Sequence, residues 1–377
     1  LYGVITLLIV QKYGGSSVAD KERIFNAASK IAASYDSGNN VVVIVSAQGN
    51  TTDMLIETAN NIIIDAPKRE LDMLLSTGEQ QSAALMSMAL ISLGYKAISL
   101  NAWQAGIFTT DDYGNARITG INTERIKHEL SLGKIVIIAG FQGINNSMDI
   151  TTLGRGGSDT TAVAIAAALK ADKCEIYTDV NGIYTADPRI VPNAVLLESI
   201  DYDVMLNYSS LGAKVLHNRS VELAKNTGID ISVKSSFSDN PGTLVTDCSE
   251  INSKPISGIT AEKLQAYITI SNLNDVYSLL KLLSTNKTII DMVSISDKCI
   301  SFSAKQSEIE SILNKVKSIN EQIKTEVQTD LAKISIIGTS LHTKPEVLIK
   351  IVEVLKANNI NFTAISLSET KLCILVD

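Results

Sequence analysis

The chain is poor in the residues that announce several common chemistries. It has four cysteines, Cys174, Cys248, Cys299 and Cys373, far apart and without a Cys-x-x-Cys pair. Its three histidines, His128, His217 and His342, are equally scattered. Together they offer no recognisable zinc pattern. We read the thiols as mostly buried or half-buried groups of a cytoplasmic protein in a reducing compartment. Basic residues are outnumbered, 33 Lys and Arg against 40 Asp and Glu, for a formal net charge of −7. That balance argues against a nucleic-acid or anionic-membrane partner and still leaves room for a local basic pocket. A long apolar run is missing too. Residues 4–10 are too short to span a bilayer and lack the basic flank and small-residue cleavage site of a signal peptide. They read as a buried first strand. Leu1 is not an initiator Met, so we expect the natural N-terminus to be absent or altered. Four strings are also absent. Without GxxxxGK[ST] the chain is not a P-loop enzyme. Without HRD or DFG it is not a protein kinase, and without GxGxxG dinucleotide binding is a weak reading.

What is present is a chain of 377 residues, 45% hydrophobic and 19% charged, enough for two or three domains with sizeable cores. Five-residue apolar runs at 41–45 and 135–139 are typical of strands buried on both faces. Helical patterns lie between them: from about Asp20, over 69–93 with Gly94 as a stop, over 121–132 and over 201–210. Such alternation predicts an α/β fold with a largely parallel sheet covered by helices on both faces.

Residues 151–189 carry the densest chemistry. A glycine-rich turn, 151–157, opens a helix at Ser158 and Asp159. Gly154, Gly156 and Gly157 permit positive φ or close backbone approach there. The free N–H groups of that helix start form an anion site. A strand over 175–178 follows, with Asp179 at its C-terminal end, where open α/β sheets bind ligands. Arg155, a guanidinium in a glycine-rich turn, suits bidentate carboxylate binding, and Asp159 can cap the helix. Other strand ends repeat the theme. The first strand ends in Lys12, Gly14, Gly15 and Ser16, a second phosphate cradle with a cation. The strand over 41–45 runs into Ser46, Gly49, Thr52 and Asp53. Gly78 and Glu79 sit inside the helix over 69–93, where a glycine costs about 1 kcal/mol relative to alanine. Either the helix breaks there or the glycine has a reason.

These strings resemble the signatures of aspartate kinases, members of the amino acid kinase superfamily, over nearly the whole chain. Lys12-Tyr13-Gly14-Gly15-Ser16-Ser17 is similar to the family's KFGGTSV, whose lysine contacts the ATP phosphates. Residues 46–53 match SAxGxTTD, whose Ser and Thr face the substrate, implying Ser46 and Thr52. The TxGE string implies that Glu79 binds the substrate α-amino group. The resemblance makes Arg155 the ligand of the α-carboxylate, with Ser158 beside it, and makes Asp159 the group that orients the phosphate-binding lysines. Thr178, Asp179, Tyr184, Asp187 and Arg189 fall in TDxxGIYTADPR, which lines the nucleotide site. Lys214, in GAKVLH, is the second cation on ATP, and His217 is read as a packing residue. The resemblance thus implies ATP contacts from Lys12, Gly14, Gly15, Ser16, Gly157, Lys214 and the 178–189 string. Mg²⁺ is expected to arrive with the nucleotide and to have no protein cage.

From Lys254 glycine becomes sparse. Ser294-Ile295-Ser296-Asp297 and Ser366-Leu367-Ser368-Glu369 each follow an amphipathic helix and precede a short apolar strand. These two units resemble tandem ACT domains, small ferredoxin-like modules that bind amino acids. We place the kinase domain at 1–248 and the ACT-like units at 249–330 and 331–377. Where the family adds a further helix and strand, this sequence stops, so the second unit is expected to be closed elsewhere or incomplete. The loops over 271–275 and 343–346 lack glycines often found there, which leaves the effector open. Ile290, Asp291, Ser296 and Asp297 are the expected effector contacts, with lysine favoured over threonine because Asp291 could pair with a basic ligand.

The expected reaction is transfer of the ATP γ-phosphoryl group to the side-chain carboxylate of L-aspartate in a homodimer or homotetramer. A carboxylate of pKa about 3.9 needs no general base at neutral pH. The task is then alignment and charge neutralisation, which fits motif residues rich in Lys, Arg, Glu and Asp. A sister amino acid kinase acting on glutamate-type substrates and an inactive amino-acid sensor remain as alternatives.

Overall fold

The computed structural model describes residues 6–212, 215–247, 256–273, 275–285, 288–296, 298–319 and 323–377. The chain divides into two compact units. The first holds residues up to 184, 195–209 and 214–251; the second holds 185–194, 210–213 and everything from 252.

The first unit starts with strand β1 (Leu8–Tyr13), a 3-10 turn at Gly15–Val18, helix α1 (Lys21–Asp36), β2 (Asn40–Val45), α2 (Thr51–Ile62) and α3 (Lys68–Ser92). Next come β3 (Ala97–Leu100), β4 (Ile107–Thr109), β5 (Ile118–Ile121), α4 (Glu124–Ser131), β6 (Ile135–Ala139), β7 (Gln142–Ile144) and β8 (Ile150–Thr152). Helix α5 (Gly157–Leu169), β9 (Lys173–Thr178), β10 (Ser199–Asp201), α6 (Tyr202–Ser210), α7 (Asn218–Thr227), β11 (Ile231–Ser235) and β12 (Thr243–Thr246) complete it. Eight strands form one sheet in the order β10-β12-β11-β9-β1-β2-β6-β3. All neighbours are parallel except the β11–β12 pair. The expected helix from 201 is preceded by the short strand β10.

The sequence explains this sheet. In β2 and β6, runs of Val and Ile are buried on both faces, as a sheet between helix layers requires. Ile24, Ala27, Ala28 and Ile31 recur at helical spacing on α1 and enter the core with Val41, Val43 and Ile137. Asp20 caps α1 by accepting from the Arg23 N–H. Helix α5 is built mostly of Ala, Thr, Val and Ile and is buried over most of its length, which lets it lie close to the sheet. Four short strands between 107 and 152 form a separate sheet, order β5-β4-β7-β8, while β6 between them belongs to the main sheet. Strand order reverses at β1, with β2 on one side and β9 on the other. That reversal opens a crevice at the C-terminal ends of these strands, where α/β sheets bind ligands.

The second unit is a six-stranded antiparallel sheet with β13 (Ile256–Ser271), β14 (Asp291–Ser296), β15 (Cys299–Lys305), β16 (Lys324–Gly338), β17 (Phe362–Leu367) and β18 (Lys371–Val376). Its helices are α8 (Val276–Thr285), α9 (Ile309–Ile319) and α10 (Pro345–Ala357), and the strand order is β14-β15-β13-β16-β18-β17. Two apolar cores alternate along it. One joins Ile268, Ile270, Ile300 and Phe302 to Leu279, Leu283, Ile312 and Val316; the other joins Ile336, Leu372, Ile374 and Val376 to Leu355. Strand β13 supplies Ile268 and Ile270 to the first core, and β16 serves both, through Val327 in the first and Ile334 and Ile336 in the second. Each bends at a non-glycine residue with positive φ, Leu264 (57°) and Asp330 (61°), where the register shifts. The first half of β13 pairs with the second half of β16, and the reverse.

Candidate active site

Lys12 lies near the end of β1, and its Nζ stands 2.6 Å from Asp159 Oδ1 at the start of α5. Both side chains are 11% exposed. Gly156, at φ 69°, is the N-cap of α5, so Asp159 does not cap the helix and sits instead in its first turn. A carboxylate there is favoured by the helix dipole, and its pairing holds the Lys12 ammonium at the start of α5. The glycines have local reasons. A Cβ on Gly156 would lie 2.2 Å from His217 Cβ, so His217 packs beneath the turn as expected. A Cβ on Gly157 would meet Phe141 at 2.8 Å. Gly15 lies against the loop after β2, where its Cβ would be 2.6 Å from the Ala47 carbonyl oxygen, and it accepts a hydrogen bond from the Gly49 N–H at 3.0 Å.

Helix α3 does not break at Gly78. The glycine lets the helix approach Ala47, whose Cβ would lie 2.8 Å from an added Cβ. That approach brings Glu79 under the same loop, where Glu79 Oε1 accepts from the Ala47 N–H at 3.0 Å. Glu79 is 4% exposed, and its Oε2 has no hydrogen-bond partner among the described residues. Burial raises its pKa to about 7, and the Ala47 N–H offsets this only in part.

These groups share one cleft of about 540 Å³, within the range of small-molecule sites. Lys12, Ser46, Thr52, Glu79, Arg155, Gly157, Ser158 and Asp159 all line it. Arg155 is exposed at its mouth with no carboxylate partner among the described residues. The cleft also takes Asp53, named in the sequence without a role, and Asp72, Gly114, Phe141 and Thr152, which the sequence reading did not single out. For Asp72 a signal existed: it stands seven residues before Glu79, two turns along the same helix. Phe141 gave none, since its left-handed backbone (φ 68°) is not written in the sequence.

Gly14, Gly15, Ser16, Thr178 and Asp179 gather beside the cleft at the ends of β1 and β9, where the Gly14 N–H donates to the Tyr177 carbonyl. Thr178 Oγ1 donates to Asp179 Oδ1 at 3.2 Å. Tyr184 makes an isolated antiparallel bridge with Leu196, and its hydroxyl accepts from Asn181. Asp187 and Arg189 are not among the residues that line this cleft. They belong to the second unit, where Arg189 Nη2 pairs with Asp187 Oδ2 at 2.8 Å. Lys214 and Asp297 lie outside the described residues. In the second unit, Ile290 packs against the first apolar core and Ser296 ends β14. Asp291 is already paired, with Lys333 at 3.0 Å and Lys371 at 3.8 Å, so it is not a free partner for a basic ligand.

A mostly parallel sheet with a glycine-walled cleft at its switch point, where Lys12 and Arg155 stand among carboxylates, is the arrangement of a phosphoryl-transfer enzyme of the amino acid kinase type, and residues 8–235 match the amino acid kinase family. Residues 326–377 match an ACT domain. The chain is 46% identical to the aspartokinase of Bacillus sp. (strain MGA3) over 385 residues, covering 98% of this chain and 93% of that one. It is also 46% identical to aspartokinase 2 of Bacillus subtilis (strain 168), with the same coverage. Aspartokinase III of E. coli, solved with aspartate and ADP (R-state) and with lysine and aspartate (T-state), superposes with a TM-score of 0.79 at 25% identity. Those matches cover 98% of this chain and 96% of that one. The chain therefore belongs to the amino acid kinase family and, within it, to the aspartokinases, which are ATP-dependent kinases. Among the described residues no helix is long and apolar enough to cross a membrane.

Proposed function

We propose that the cleft phosphorylates the side-chain carboxylate of L-aspartate, giving 4-phospho-L-aspartate and ADP, with the amino acid held at both ends of its backbone. The observation that carries this reading is the pairing of a cation centre, Lys12 on Asp159, with a buried unpaired carboxylate oxygen, Glu79 Oε2, in one cleft. Glu79 accepts the α-ammonium group. Arg155 takes the α-carboxylate through its two-pronged guanidinium. Ser46, Thr52 and Ser158 offer hydroxyls between them. The side-chain carboxylate then points toward Lys12 and attacks the γ-phosphorus. The bond to the β,γ-bridging oxygen breaks, and that oxygen leaves with ADP. No proton moves in this step, and the site needs no histidine.

ATP fits the neighbouring donors: the N–H groups at Gly14, Gly15 and Gly157, the Lys12 ammonium and the start of α5. Mg²⁺ would arrive on the nucleotide and neutralise part of its charge. Among the described residues no cluster of three or more His, Cys, Asp or Glu could hold a metal ion. Thr178, Asp179, Tyr184, Asp187, Arg189 and Lys214 are assigned to the nucleotide on sequence resemblance. The second unit is assigned to feedback control by an amino acid in a homo-oligomer, and lysine is the first effector to titrate. Asp291 would have to exchange Lys333 for such a ligand, so Ile290 and Ser296 are the contacts assigned to it.

The test is ADP release with Mg·ATP and either L-aspartate or L-glutamate, with hydroxylamine present to trap an acyl phosphate. Aspartate-specific turnover with a trapped hydroxamate is expected. Turnover with glutamate alone would move the chain to a sister activity.

A further inference from the structure

The structure assigns to Asp72 the role of positioning residue for aspartate recognition: from helix α3 it pins the hairpin tip at Gly114 and the strand at Thr152, and so fixes the turn carrying Arg155 relative to Glu79. This rests on the roles given above to Arg155 and Glu79.

Asp72 is 1% exposed. Its Oδ2 accepts from the backbone N–H groups of Gly114 and Thr152, both at 2.8 Å, and its Oδ1 accepts from the Thr152 hydroxyl at 2.7 Å. A carboxylate has about four lone-pair sites, so three are committed to the protein. That commitment separates Asp72 from Glu79, whose Oε2 is unpartnered in the same cleft. One carboxylate on this helix face is left open for a ligand, and the other is spent on the wall.

What Asp72 holds is the wall itself. Gly114, Thr152 and Gly154 line the cleft together with Asp72. Thr152 ends β8, and Arg155 follows three residues later. Gly154 turns at φ 76° so close to the hairpin that an added Cβ would be 3.1 Å from the Gly114 carbonyl oxygen. The Ala116 N–H donates to the Thr152 carbonyl at 2.9 Å, tying the same two segments again. From the far side Arg219 donates to the Leu153 carbonyl at 2.8 Å and to Asn115 Oδ1 at 2.6 Å. The turn is therefore tied from Asp72, from Ala116 and from Arg219, and of these three only Asp72 stands on the helix that carries Glu79. Helix α3 also meets this small sheet through Gln142 Nε2, which donates to the Ser76 carbonyl at 2.9 Å, and through Arg69, paired with Asp149 at 2.7 Å, so losing the Asp72 peg loosens the turn that carries Arg155 rather than the whole sheet.

The test compares Asp72→Ala, Asp72→Asn and Thr152→Val. Asparagine keeps an oxygen for the two N–H groups and can donate its amide to the Thr152 hydroxyl, so it should rescue. Asp72→Ala should raise the aspartate KM roughly 10- to 100-fold, the cost of a misplaced binding group, with the ATP KM within about threefold. The second readout is aspartate 1-amide, which keeps the acceptor carboxylate and lacks the α-carboxylate. Its penalty relative to aspartate should be large in the unsubstituted enzyme and shrink in Asp72→Ala. A folded Asp72→Ala with an unchanged aspartate KM overturns the assignment. So does a parallel loss of both KM values and thermal stability with the amide penalty intact, which marks a purely structural peg. Asparagine as impaired as alanine also overturns it, because the charge itself would then be acting on substrate. Should alanine fail to fold, Thr152→Val decides: a few-fold rise in aspartate KM is expected, and no rise refutes. Arg155→Ala serves as the control. If it leaves the aspartate KM and the amide penalty untouched, the reading of the site fails, independently of Asp72.

Discussion

Glu79 offers the most direct test of the site because its protonation and its proposed role pull in opposite directions. An ammonium group needs the ionised carboxylate, yet burial raises this group from an ordinary 4.5 to about 7. With a pKa near 7, about one site in eleven is ionised at pH 6 and about ten in eleven at pH 8. If only the ionised form accepts aspartate, the aspartate KM should rise about tenfold on going from pH 8 to pH 6. Saturating aspartate restores turnover, because the bound ammonium holds Glu79 ionised. An ordinary glutamate would change its ionised fraction by only about 3% over that span. Glu79→Gln should raise the aspartate KM at pH 8 by roughly 30-fold or more, the expectation of about 2 kcal/mol or above for a buried charge pair that loses one member, and should flatten the pH profile. The same shift reports on stability with a definite sign. Below pH 4.5 Glu79 is protonated in both folded and unfolded chains and contributes no difference. Between 4.5 and 7 the folded protein keeps a proton that the unfolded chain releases, so stability falls as pH rises, by roughly 3 kcal/mol in total. Glu79→Gln should therefore unfold at higher temperature than the parent at pH 8 and at nearly the same temperature near pH 4.5. Steady-state kinetics with Mg·ATP saturating, run beside thermal melts at both pH values, read both effects. A wild-type aspartate KM that stays flat from pH 6 to pH 8 would refute the reasoning.

Other substitutions probe separate links. Lys12→Ala should lower kcat by about 10³-fold, as expected for a lost phosphoryl-stabilising cation, and change the aspartate KM little; a near-normal kcat would remove Lys12 from the chemistry. Gly156→Ala places a methyl 2.2 Å from His217 Cβ at φ 69°, so the turn must move. Its kcat/KM for aspartate should drop about 100-fold, and circular dichroism should show a folded protein. Lys333→Ala should destabilise the second unit by about 3 kcal/mol, toward the lower end for a broken buried pair, because Glu262 and Asp291 retain 25% and 32% exposure. Denaturant titration that shows no change would mean that water replaces the lysine without cost.

Much of this site could be read from the chain because it is built from short local strings at strand ends. Lys12, Gly14 and Gly15 follow an apolar run, and Arg155, Ser158 and Asp159 lie on one turn, so neighbours in sequence are neighbours in space. The parallel sheet was legible for the same reason: β2 and β6 are unbroken Val and Ile runs. What escaped depended on tertiary distance. The reason for Gly78 is Ala47, and the reason for Gly156 is His217; neither pairing has a sequence signal. Asp72 serves Thr152, 80 residues away. In the second unit, Asp291 was expected to wait for a ligand, but the register of β16 and β18 delivers Lys333 and Lys371 to it. No local pattern encodes that register.

The two bent strands of the second unit also carry a consequence for synthesis. Residues 256–262 leave the ribosome before the residues of this unit's first apolar core, yet their partners are residues 333–338 of β16. At about 5–20 residues per second, they wait roughly 4–14 s for that partner, with backbone donors and acceptors open on one edge. During that interval the nascent segment is a strand edge able to pair with another chain. Cutting the chain near 330, at what looks in sequence like a seam between repeats, would make that exposure permanent. The repeats can be counted separately along the sequence, but neither can be completed until both have been made.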